Sequence, residues 1–346
     1  MAAAIALGER GRGRAAPNPN VGCVIVQPAS AGQQARVVGR GWTQPGGRPH
    51  AEAMALALAG EAARGATVYT SLEPCAHRSQ RGPACAPSLV EAGVSRVIAA
   101  LRDPDQRTDG QGHALLEAAG IEVVTGIGAD AARRSMAGFL TRQALGRPHV
   151  TLKLGLSLDG AIAMADGSSR WITGPQARAH AHVERARNDA ILVGRGTAEA
   201  DAPSLDVRMP GLEDRSPRRI LLSSGHPREG GDPASSSSSS GDEKLDSRLR
   251  GNDAEWTAIA SPSAITNLEG VDWLLVEGGM GAAASFLTAD LVDRLLLYRA
   301  PILIGGGRTL GDIGLSNLAD AHGRWALADA RQLGSDRLEV YERVRQ

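Results

Sequence analysis

The chain has 346 residues, a length that favours two domains. Its 38 basic and 38 acidic side chains cancel, which disfavours a binder of the nucleic-acid backbone, because such proteins usually carry excess positive charge. No apolar run reaches about 18 residues, so no transmembrane helix is expected. In the opening MAAAIALGERGRGR, basic residues follow the apolar stretch, the reverse of a secretory signal, and we expect a cytoplasmic protein. Three cysteines are too few for a disulfide framework and leave metal or catalytic roles open.

Residues 1–146 alternate between predicted strands and helices. The predicted strands are 20–27, 36–42, 66–75, 95–105 and 121–127. The predicted helices, which are rich in Ala or Leu and stop at glycine, are 50–65, 84–93 and 113–120. Such alternation is typical of a mostly parallel sheet between helices. The sequence therefore predicts an N-terminal three-layer α/β/α domain.

Residues 147–346 predict a second α/β domain. Its predicted strands are 149–160, 188–194, 218–224, 271–279, 293–306 and 337–345. Its predicted helices are 175–188 and 281–293. Residues 226–254 interrupt this pattern with six consecutive serines and almost no apolar side chains. Because such a segment cannot bury enough surface to offset its ordering entropy, we expect a disordered inserted loop without function.

Three candidate metal ligands stand at the ends of predicted elements. His50 opens a helix, Cys75 ends a strand and Cys85 opens the next helix. One His and two Cys leave a fourth tetrahedral position open, as in catalytic zinc sites, and helix N-termini favour thiolates. Glu52 would stand beside the attacking water, where a carboxylate can take up a proton and return it to a leaving amine. The alternative is a structural Cys pair with a His that caps a helix.

This arrangement resembles the zinc-dependent cytidine-deaminase superfamily, whose signature is H-x-E followed by P-C and a second Cys. HAE at 50–52 and EPC at 73–75 match that signature, with a predicted strand between them. Nucleobase deaminases usually have two residues between the cysteines, whereas nine separate Cys75 from Cys85. The longer loop indicates a special subfamily.

Motifs outside 226–254 resemble the bifunctional riboflavin-biosynthesis deaminase/reductase family, called RibD in bacteria. They include APNPNVGCVIV (16–26), TSLEPCAHRSQRGPAC (70–85), KLGLSLDGAIA (153–163), GTAEADAPSLDVR (196–208) and VEGG (276–279). The resemblance implies zinc-dependent hydrolytic deamination of 2,5-diamino-6-(5-phosphoribosylamino)pyrimidin-4(3H)-one to 5-amino-6-(5-phosphoribosylamino)uracil. NADPH-dependent reduction of the ribosyl chain to a ribityl chain would follow. It also implies a C-terminal domain that looks like dihydrofolate reductase, and a homodimer.

The resemblance gives the first domain further candidate residues. Asn18 and Asn20 are candidates to bind the edge of the pyrimidine, and ordinary turn chemistry in a Pro-flanked segment is the alternative. His77 is a candidate to meet the ribose phosphate, and a solvated loop histidine is the alternative. Cys23 lies in an apolar run, so we expect it in the core.

Lys153 is the candidate catalytic residue of the second domain. It lies in an otherwise apolar strand just before Ser-Leu-Asp-Gly, near the strand end where α/β folds bind ligands. The alternative is an edge lysine that reaches solvent. EGGMGAAAS at 277–285 is not a Rossmann fingerprint, but its glycines can bring backbone N–H groups up to a phosphate. A tight strand-to-helix turn is the alternative there.

Position by position, the resemblance implies two further sets of contacts. The nicotinamide cofactor would meet Leu156, Trp171, Thr197, Asp201, Ser224, Gly279, Met280, Gly281, Ala282, Ala283, Ala284 and Ser285. The substrate would meet Ser169, Arg185, Leu205, Arg208 and Glu277. Arg185 and Arg208 suit a phosphate because guanidinium groups are permanently charged bidentate donors. An exposed helix charge is the alternative for Arg185.

Two other functions remain open at this point. One is a nucleobase deaminase acting on nucleic acid with an accessory C-terminal module, which zero net charge disfavours. The other is a non-catalytic zinc scaffold, which Glu52 disfavours because a structural zinc site needs no unligated acid. Ammonia release from a polynucleotide or from the phosphoribosyl-pyrimidine, and measured turnover, would discriminate between them.

Overall fold

The computed structural model describes residues 1–29, 34–77, 82–223 and 256–345. The chain divides into two compact units, Met1–His149 with Glu269–Asp272 and Val150–Leu268 with Trp273–Gln346. Both are α/β units, as predicted. The expected insertion at 226–254 lies outside the described residues. In the described part of the chain, no helix has the length and apolar character to cross a bilayer.

The first unit is built on a five-stranded sheet. Its strands are β1 (Gly22–Gln27), β2 (Arg36–Trp42), β3 (Thr67–Thr70), β4 (Arg96–Ala99) and β5 (Glu122–Thr125), in the order β2-β1-β3-β4-β5. Its helices are α1 (Ala2–Gly8), α2 (Ala51–Ala59), α3 (Cys85–Glu91), α4 (Gln111–Ala118), α5 (Ala129–Ser135) and α6 (Ala137–Leu145). β1 runs antiparallel to β2 and β3, whereas β3, β4 and β5 are parallel. The sheet is therefore mixed rather than mostly parallel.

Two glycines of β2 let α2 lie close against the sheet. A Cβ at Gly41 would stand 2.1 Å from the carbonyl oxygen of Ala51, and one at Gly39 would stand 2.2 Å from that of Ala55. Both distances are far below any van der Waals contact, so only glycine fits. Ala51 and Ala55 are completely buried. This contact fixes the N-terminus of α2, which follows His50.

The second unit is built on an eight-stranded sheet. Its strands are β6 (His149–Leu156), β7 (Ala190–Gly194), β8 (Arg218–Leu222), β9 (Trp256–Ile259), β10 (Trp273–Val276), β11 (Arg294–Arg299), β12 (Trp325–Leu333) and β13 (Asp336–Arg343). Their order is β12-β13-β11-β6-β10-β7-β8-β9. Its α-helices in the described residues are α7 (Pro175–Ala186), α8 (Arg195–Asp201) and α9 (Met280–Thr288). β6 pairs in parallel with β11, β7 pairs in parallel with β10 and β8, and β8 pairs in parallel with β9.

Some element boundaries differ from the sequence prediction. The strand predicted to reach residue 306 ends at Arg299, shortly before Pro301 and the glycines at 305–307, which do not favour continued strand pairing. The helix predicted over 50–65 ends at Ala59 and continues as a short 3-10 turn. β9 and β12 were not predicted. β12 is an edge strand whose side chains are mostly exposed, so it lacks the alternating apolar pattern.

Candidate functional site

One histidine and two cysteines of the first unit form a compact group. His50 is the N-cap of α2, Cys85 is the first residue of α3, and Cys75 lies in the segment after β3. Their ligand atoms all lie within 4.8 Å of one another. His50 Nδ1 is 3.3 Å from Cys85 Sγ and 3.6 Å from Cys75 Sγ. Ligand atoms on a tetrahedral zinc, with bonds of about 2.0 to 2.3 Å, lie about 3.5 Å apart, so the donors and their spacing fit zinc.

The surroundings of Cys75 favour its thiolate form. A hydrogen bond from the side chain of Cys85 lowers the pKa of the Cys75 thiol, and His50 lowers it further. The backbone N–H of Cys85 also donates to Cys75 Sγ, at 3.4 Å. Because the thiolate is the form that binds metal, the N-terminus of α3 prepares Cys75 as a ligand.

Glu52 is buried in the first turn of α2, two residues after His50. Its side chain is almost fully shielded, and Thr70 Oγ1 donates a hydrogen bond to Oε1 at 3.2 Å. Burial raises the pKa of the Glu52 carboxyl. A buried carboxyl with a raised pKa, held in a fixed orientation, suits reversible proton transfer.

The structure separates the two candidate asparagines. Asn18 Nδ2 lies 2.9 Å from His50 Nε2 and 2.8 Å from the carbonyl oxygen of Gly47. Asn18 therefore contacts the ring nitrogen opposite the one that faces the cysteines. Asn20 is buried, and its amide donates to the carbonyl oxygen of Ser135 at 3.1 Å. These contacts of Asn20 favour the structural alternative over pyrimidine binding.

The remaining candidates of the first unit are His77 and Cys23. His77 is half-buried, and its Nδ1 lies 3.3 Å from Thr108 Oγ1. Residues 78–81, which follow it in the loop between the cysteines, lie outside the described residues. Cys23 is completely buried in the core of this unit, as predicted.

Most of the candidates in the second unit line one cavity of about 1200 Å³. Pockets for drug-sized ligands are typically about 300 to 1000 Å³, so this cavity has room for a nucleotide cofactor beside a substrate. The candidates that line it are Lys153, Ser169, Trp171, Arg185, Thr197, Asp201, Leu205, Arg208, Glu277, Gly279, Met280, Gly281, Ala282 and Ser285.

Three of the cofactor candidates within the described residues are not among the lining residues. Leu156 is buried at the end of β6, and Ala283 is completely buried inside α9. Ala284 is half-buried on the same helix. Leu156 and Ala283 are therefore packed in the core of the unit, and the cofactor contacts of all three residues stay predictions. Ser224 lies outside the described residues.

A buried carboxylate joins two cations beside this cavity. Glu277 follows β10, and the Arg185 guanidinium donates to both of its oxygens at 2.8 Å. Lys153 Nζ lies 3.8 Å from Glu277 Oε2. Burial alone would raise the pKa of Glu277, but Lys153 and Arg185 outweigh it and lower the pKa to about 2. Glu277 is therefore ionised at neutral pH.

The glycines before α9 bring two segments of the cavity wall together. The backbone N–H of Gly279 donates to Thr197 Oγ1 at 2.9 Å. A Cβ at Gly278 would stand 2.9 Å from Ala282 Cβ, so this turn requires glycine. Trp171, another residue of the cavity wall, is 66% exposed and lies under the Arg178 guanidinium, which is 4.7 Å from the ring centroid. An exposed aromatic ring in a cavity wall offers a flat surface for stacking.

The sequence did not predict several residues of the cavity wall, among them Arg178 and His182. Both lie on α7 and line the cavity with Arg185. The spacing 178, 182 and 185 places these three side chains on one face of a helix. That spacing was visible in the sequence. Burial lowers the pKa of His182, and nearby Arg185 and Arg208 lower it further.

Comparisons with known proteins match both halves of the chain. Residues 1–101 match the family model "Cytidine and deoxycytidylate deaminase zinc-binding region". Residues 148–338 match the model "RibD C-terminal domain". Riboflavin biosynthesis protein RibD of Escherichia coli is 38% identical, with 97% of this chain and 96% of the relative covered. The same protein of Corynebacterium ammoniagenes is 39% identical over 88% of this chain and 86% of the relative.

Two solved structures resemble the whole chain. Acinetobacter baumannii RibD has a TM-score of 0.82 at 33% identity, covering 100% of this chain and 98% of that one. A diaminohydroxyphosphoribosylaminopyrimidine deaminase/5-amino-6-(5-phosphoribosylamino)uracil reductase from Thermotoga maritima has a TM-score of 0.83 at 29% identity, covering 99% and 97%.

These matches confirm the predicted fold class, with a cytidine-deaminase-like domain followed by a RibD-type reductase domain. The zinc-binding deaminase region contains the His50, Cys75 and Cys85 group. The nucleic-acid deaminase and the non-catalytic scaffold are not favoured, because the relatives match over nearly the whole chain. The chain belongs to the RibD family of bifunctional riboflavin biosynthesis enzymes, which combine a deaminase with a reductase.

Proposed function

We propose that the first unit deaminates 2,5-diamino-6-(5-phosphoribosylamino)pyrimidin-4(3H)-one at a zinc ion held by His50, Cys75 and Cys85. The observation that carries this proposal is the ligand group itself, whose atoms lie within 4.8 Å of one another next to the buried Glu52. Bound zinc supplies Lewis-acid activation of water near neutral pH. The net reaction replaces the ring amine by oxygen from water and releases ammonia.

Glu52 is the proton carrier in this proposal. Its carboxylate accepts a proton from the attacking water and then delivers it to the departing amine, so that the residue ends the cycle as it began. Burial, which raises its pKa, stabilises the protonated form that this transfer needs midway. The hydrogen bond from Thr70 Oγ1 to Oε1 helps to fix the orientation of the carboxylate for this transfer.

In the second unit, we propose reduction of the ribosyl chain to a ribityl chain. NADPH supplies the hydride, which goes to the sugar carbon of the open-chain or imine form. Lys153 lies in the cavity wall beside Glu277, where its ammonium can orient the sugar hydroxyls or protonate the opening ring. Gly279 and Thr197 belong to the wall that would hold the cofactor.

The two arginines have different surroundings. Arg185 is largely buried, donates to both oxygens of Glu277 and also donates to the carbonyl oxygen of Asp206 at 3.1 Å. We therefore assign Arg185 to holding Glu277. Arg208 is 61% exposed and lies 3.4 Å from Asp206 Oδ1. Its guanidinium is the better candidate for the substrate phosphate.

We also propose that the boundary between the deaminase and reductase domains lies between residues 146 and 147. The protein is proposed to be a homodimer and to be located in the cytoplasm. Family resemblance supports the dimer, and low cysteine content supports a reducing compartment. Sedimentation velocity of the full chain measures the oligomeric state directly. A monomer over the working concentration range would contradict the dimer.

The central experiment supplies the diaminopyrimidinone substrate to the zinc-loaded full chain with and without NADPH, and identifies the products by mass spectrometry. We expect the aminouracil and ammonia without NADPH, and the ribityl product with it. Ammonia release from a polynucleotide under the same conditions, with none from the diaminopyrimidinone, would contradict the proposal.

Glu52→Gln tests the deaminase half. The amide is nearly isosteric and should leave zinc content normal, but it cannot cycle a proton, so deamination should fall by about 10²- to 10⁴-fold. Reduction of pre-formed aminouracil should be unchanged. Deamination near the wild-type rate would contradict the mechanism.

Lys153→Met tests the reductase half. Met keeps most of the length and the apolar stem but removes the ammonium, so NADPH oxidation with the aminouracil substrate should fall about tenfold or more. Deamination and zinc content should stay normal. Lys244→Met is the matched control, because Lys244 is the other lysine of the chain and lies in the 226–254 segment. A Lys153→Met rate within about twofold of wild type would show that the lysine is structural.

A further inference from the structure

The side chain of Lys153 has a second neighbour besides Glu277. β6 and β11 pair in parallel, with Lys153 opposite Leu296 and Gly155 opposite Tyr298. Because side chains two residues apart share a face of a sheet, Lys153 and Tyr298 lie on the same face in a diagonal relation. Lys153 Nζ lies 5.7 Å from the centroid of the Tyr298 ring. That distance is within the range of about 6 Å for a cation–π interaction.

Tyr298 is held rigidly by its hydroxyl group. The residue is 1% exposed, and its OH lies 2.8 Å from Nδ1 of His180 on α7. Burial raises the pKa of the Tyr298 hydroxyl and lowers that of the His180 imidazole. Both groups are therefore neutral near pH 7, and their contact places no extra charge behind the ring.

Glu277 alone does not define the position of the Lys153 ammonium. The contact is 3.8 Å long, which is at the limit of an ion pair. The same carboxylate accepts two hydrogen bonds of 2.8 Å from Arg185, so its geometry is set by the guanidinium. A long lysine side chain with one loose partner keeps much of its rotamer freedom. The negative face of an aromatic ring supplies a second attraction, directed from another side.

We propose that Tyr298, anchored by His180, is a positioning residue that holds the Lys153 ammonium in place for the reduction. This inference rests on the proposed role of Lys153. The competing interpretation is that Tyr298 only fills the core, since it packs in a cluster with Leu296, Leu338 and Val340. The two interpretations differ in one property. Packing depends on the shape of the ring, whereas attraction of a cation depends on the electron density of its face.

The test varies that electron density at constant shape. Tyr298→Phe is the reference, and phenylalanines with one, two and three ring fluorines replace it at position 298 of the full zinc-loaded chain. We expect kcat for NADPH oxidation with the aminouracil substrate to fall stepwise along the series, by roughly 2- to 10-fold in total. KM for NADPH, the deamination rate and the thermal midpoint should stay at the values of Tyr298→Phe, because the ring keeps its shape.

The same series is repeated with Lys153→Met. If the ring acts through the ammonium, the residual rate of NADPH oxidation in the Lys153→Met protein should be the same for every ring in the fluorinated series. A flat series with Lys153 present overturns the inference, and so does an equally steep decline in both backgrounds. The role of Lys153 is tested separately, by Lys153→Met with Tyr298 unchanged. If that variant reduces the substrate at the wild-type rate, the proposed role of Lys153 has failed.

Discussion

Replacing Glu277 with Gln removes a buried negative charge that two cations of the second unit share. The side chain is 10% exposed, accepts two hydrogen bonds of 2.8 Å from Arg185 and lies 3.8 Å from Lys153 Nζ. Gln preserves the shape, but its amide nitrogen is a donor and would face one of the guanidinium donors. We expect the variant to fold with reduced stability, because the Arg185 guanidinium then lacks its countercharge.

The size of the effect follows from the ionisation of Glu277. Lys153 and Arg185 overcome the cost of burial and lower its pKa from 4.5 to about 2. Since one pKa unit corresponds to about 1.4 kcal/mol, the charged form contributes about 3 kcal/mol to the free energy of unfolding near pH 7. Breaking a buried ion pair typically costs about 3 to 5 kcal/mol, which agrees. Because the folded-state pKa is the lower one, this contribution is present above about pH 4.5 and is lost as the pH falls toward 2, with about 40% left at pH 3.

Urea unfolding followed by tryptophan fluorescence measures this difference. Four of the five tryptophans belong to the second unit, so the signal reports mainly on the unit that holds Glu277. Wild type and Glu277→Gln are compared at pH 7, 4 and 3, with Glu213→Gln as an exposed control expected to change stability by less than about 0.5 kcal/mol. The reasoning is refuted if the difference is below about 1 kcal/mol at pH 7, or if it does not shrink between pH 7 and pH 3.

Three further predictions concern Asn18 and the 226–254 segment. Asn18→Ala should weaken zinc binding by about 10- to 100-fold in a chelator competition if Asn18 orients His50, whereas a raised substrate KM with unchanged zinc affinity would support pyrimidine binding. Removing the serines 235–240 should leave both activities close to wild type, because loop length costs only about 0.6 kcal/mol per doubling. Removing all of 226–254 should disrupt folding of the second unit, since β8 and β9 are parallel and need a connection of about a dozen residues; normal reductase activity of that variant would contradict this.

The ligand group of the first unit could be predicted because its signals are local. His50 and Cys85 stand at the starts of α2 and α3, as predicted, whereas the strand predicted to end at Cys75 ends at Thr70, five residues earlier. The requirement for glycine at position 41, by contrast, could not be predicted from the local sequence. It arises from a carbonyl oxygen of α2 that lies only 2.1 Å from where a Cβ would stand, and no pattern within β2 reveals that contact.

Strand direction was the weaker part of the fold prediction. Alternating strands and helices favoured a mostly parallel first sheet, but β1 pairs antiparallel with both β2 and β3. β1 and β2 are consecutive strands, whereas the pairing of β1 with β3 joins strands that are separated by β2 and α2, so local sequence patterns do not reveal it. The edge strand β12 was missed for a different reason. It pairs with β13 and exposes most of its side chains, so burial imposes little pattern on its sequence.

The charges of the second unit include a contact that residue chemistry alone did not predict. The family resemblance implied a substrate contact for Arg185, and a guanidinium suits a phosphate. In the fold, Arg185 meets Glu277, which is 92 residues away in the sequence and binds both of its donors. His180, on the same helix, anchors Tyr298. α7 therefore supports both neighbours of Lys153, one through a carboxylate and one through a ring. The position of the ammonium thus depends on how this helix docks on the sheet, which is a property of the tertiary structure.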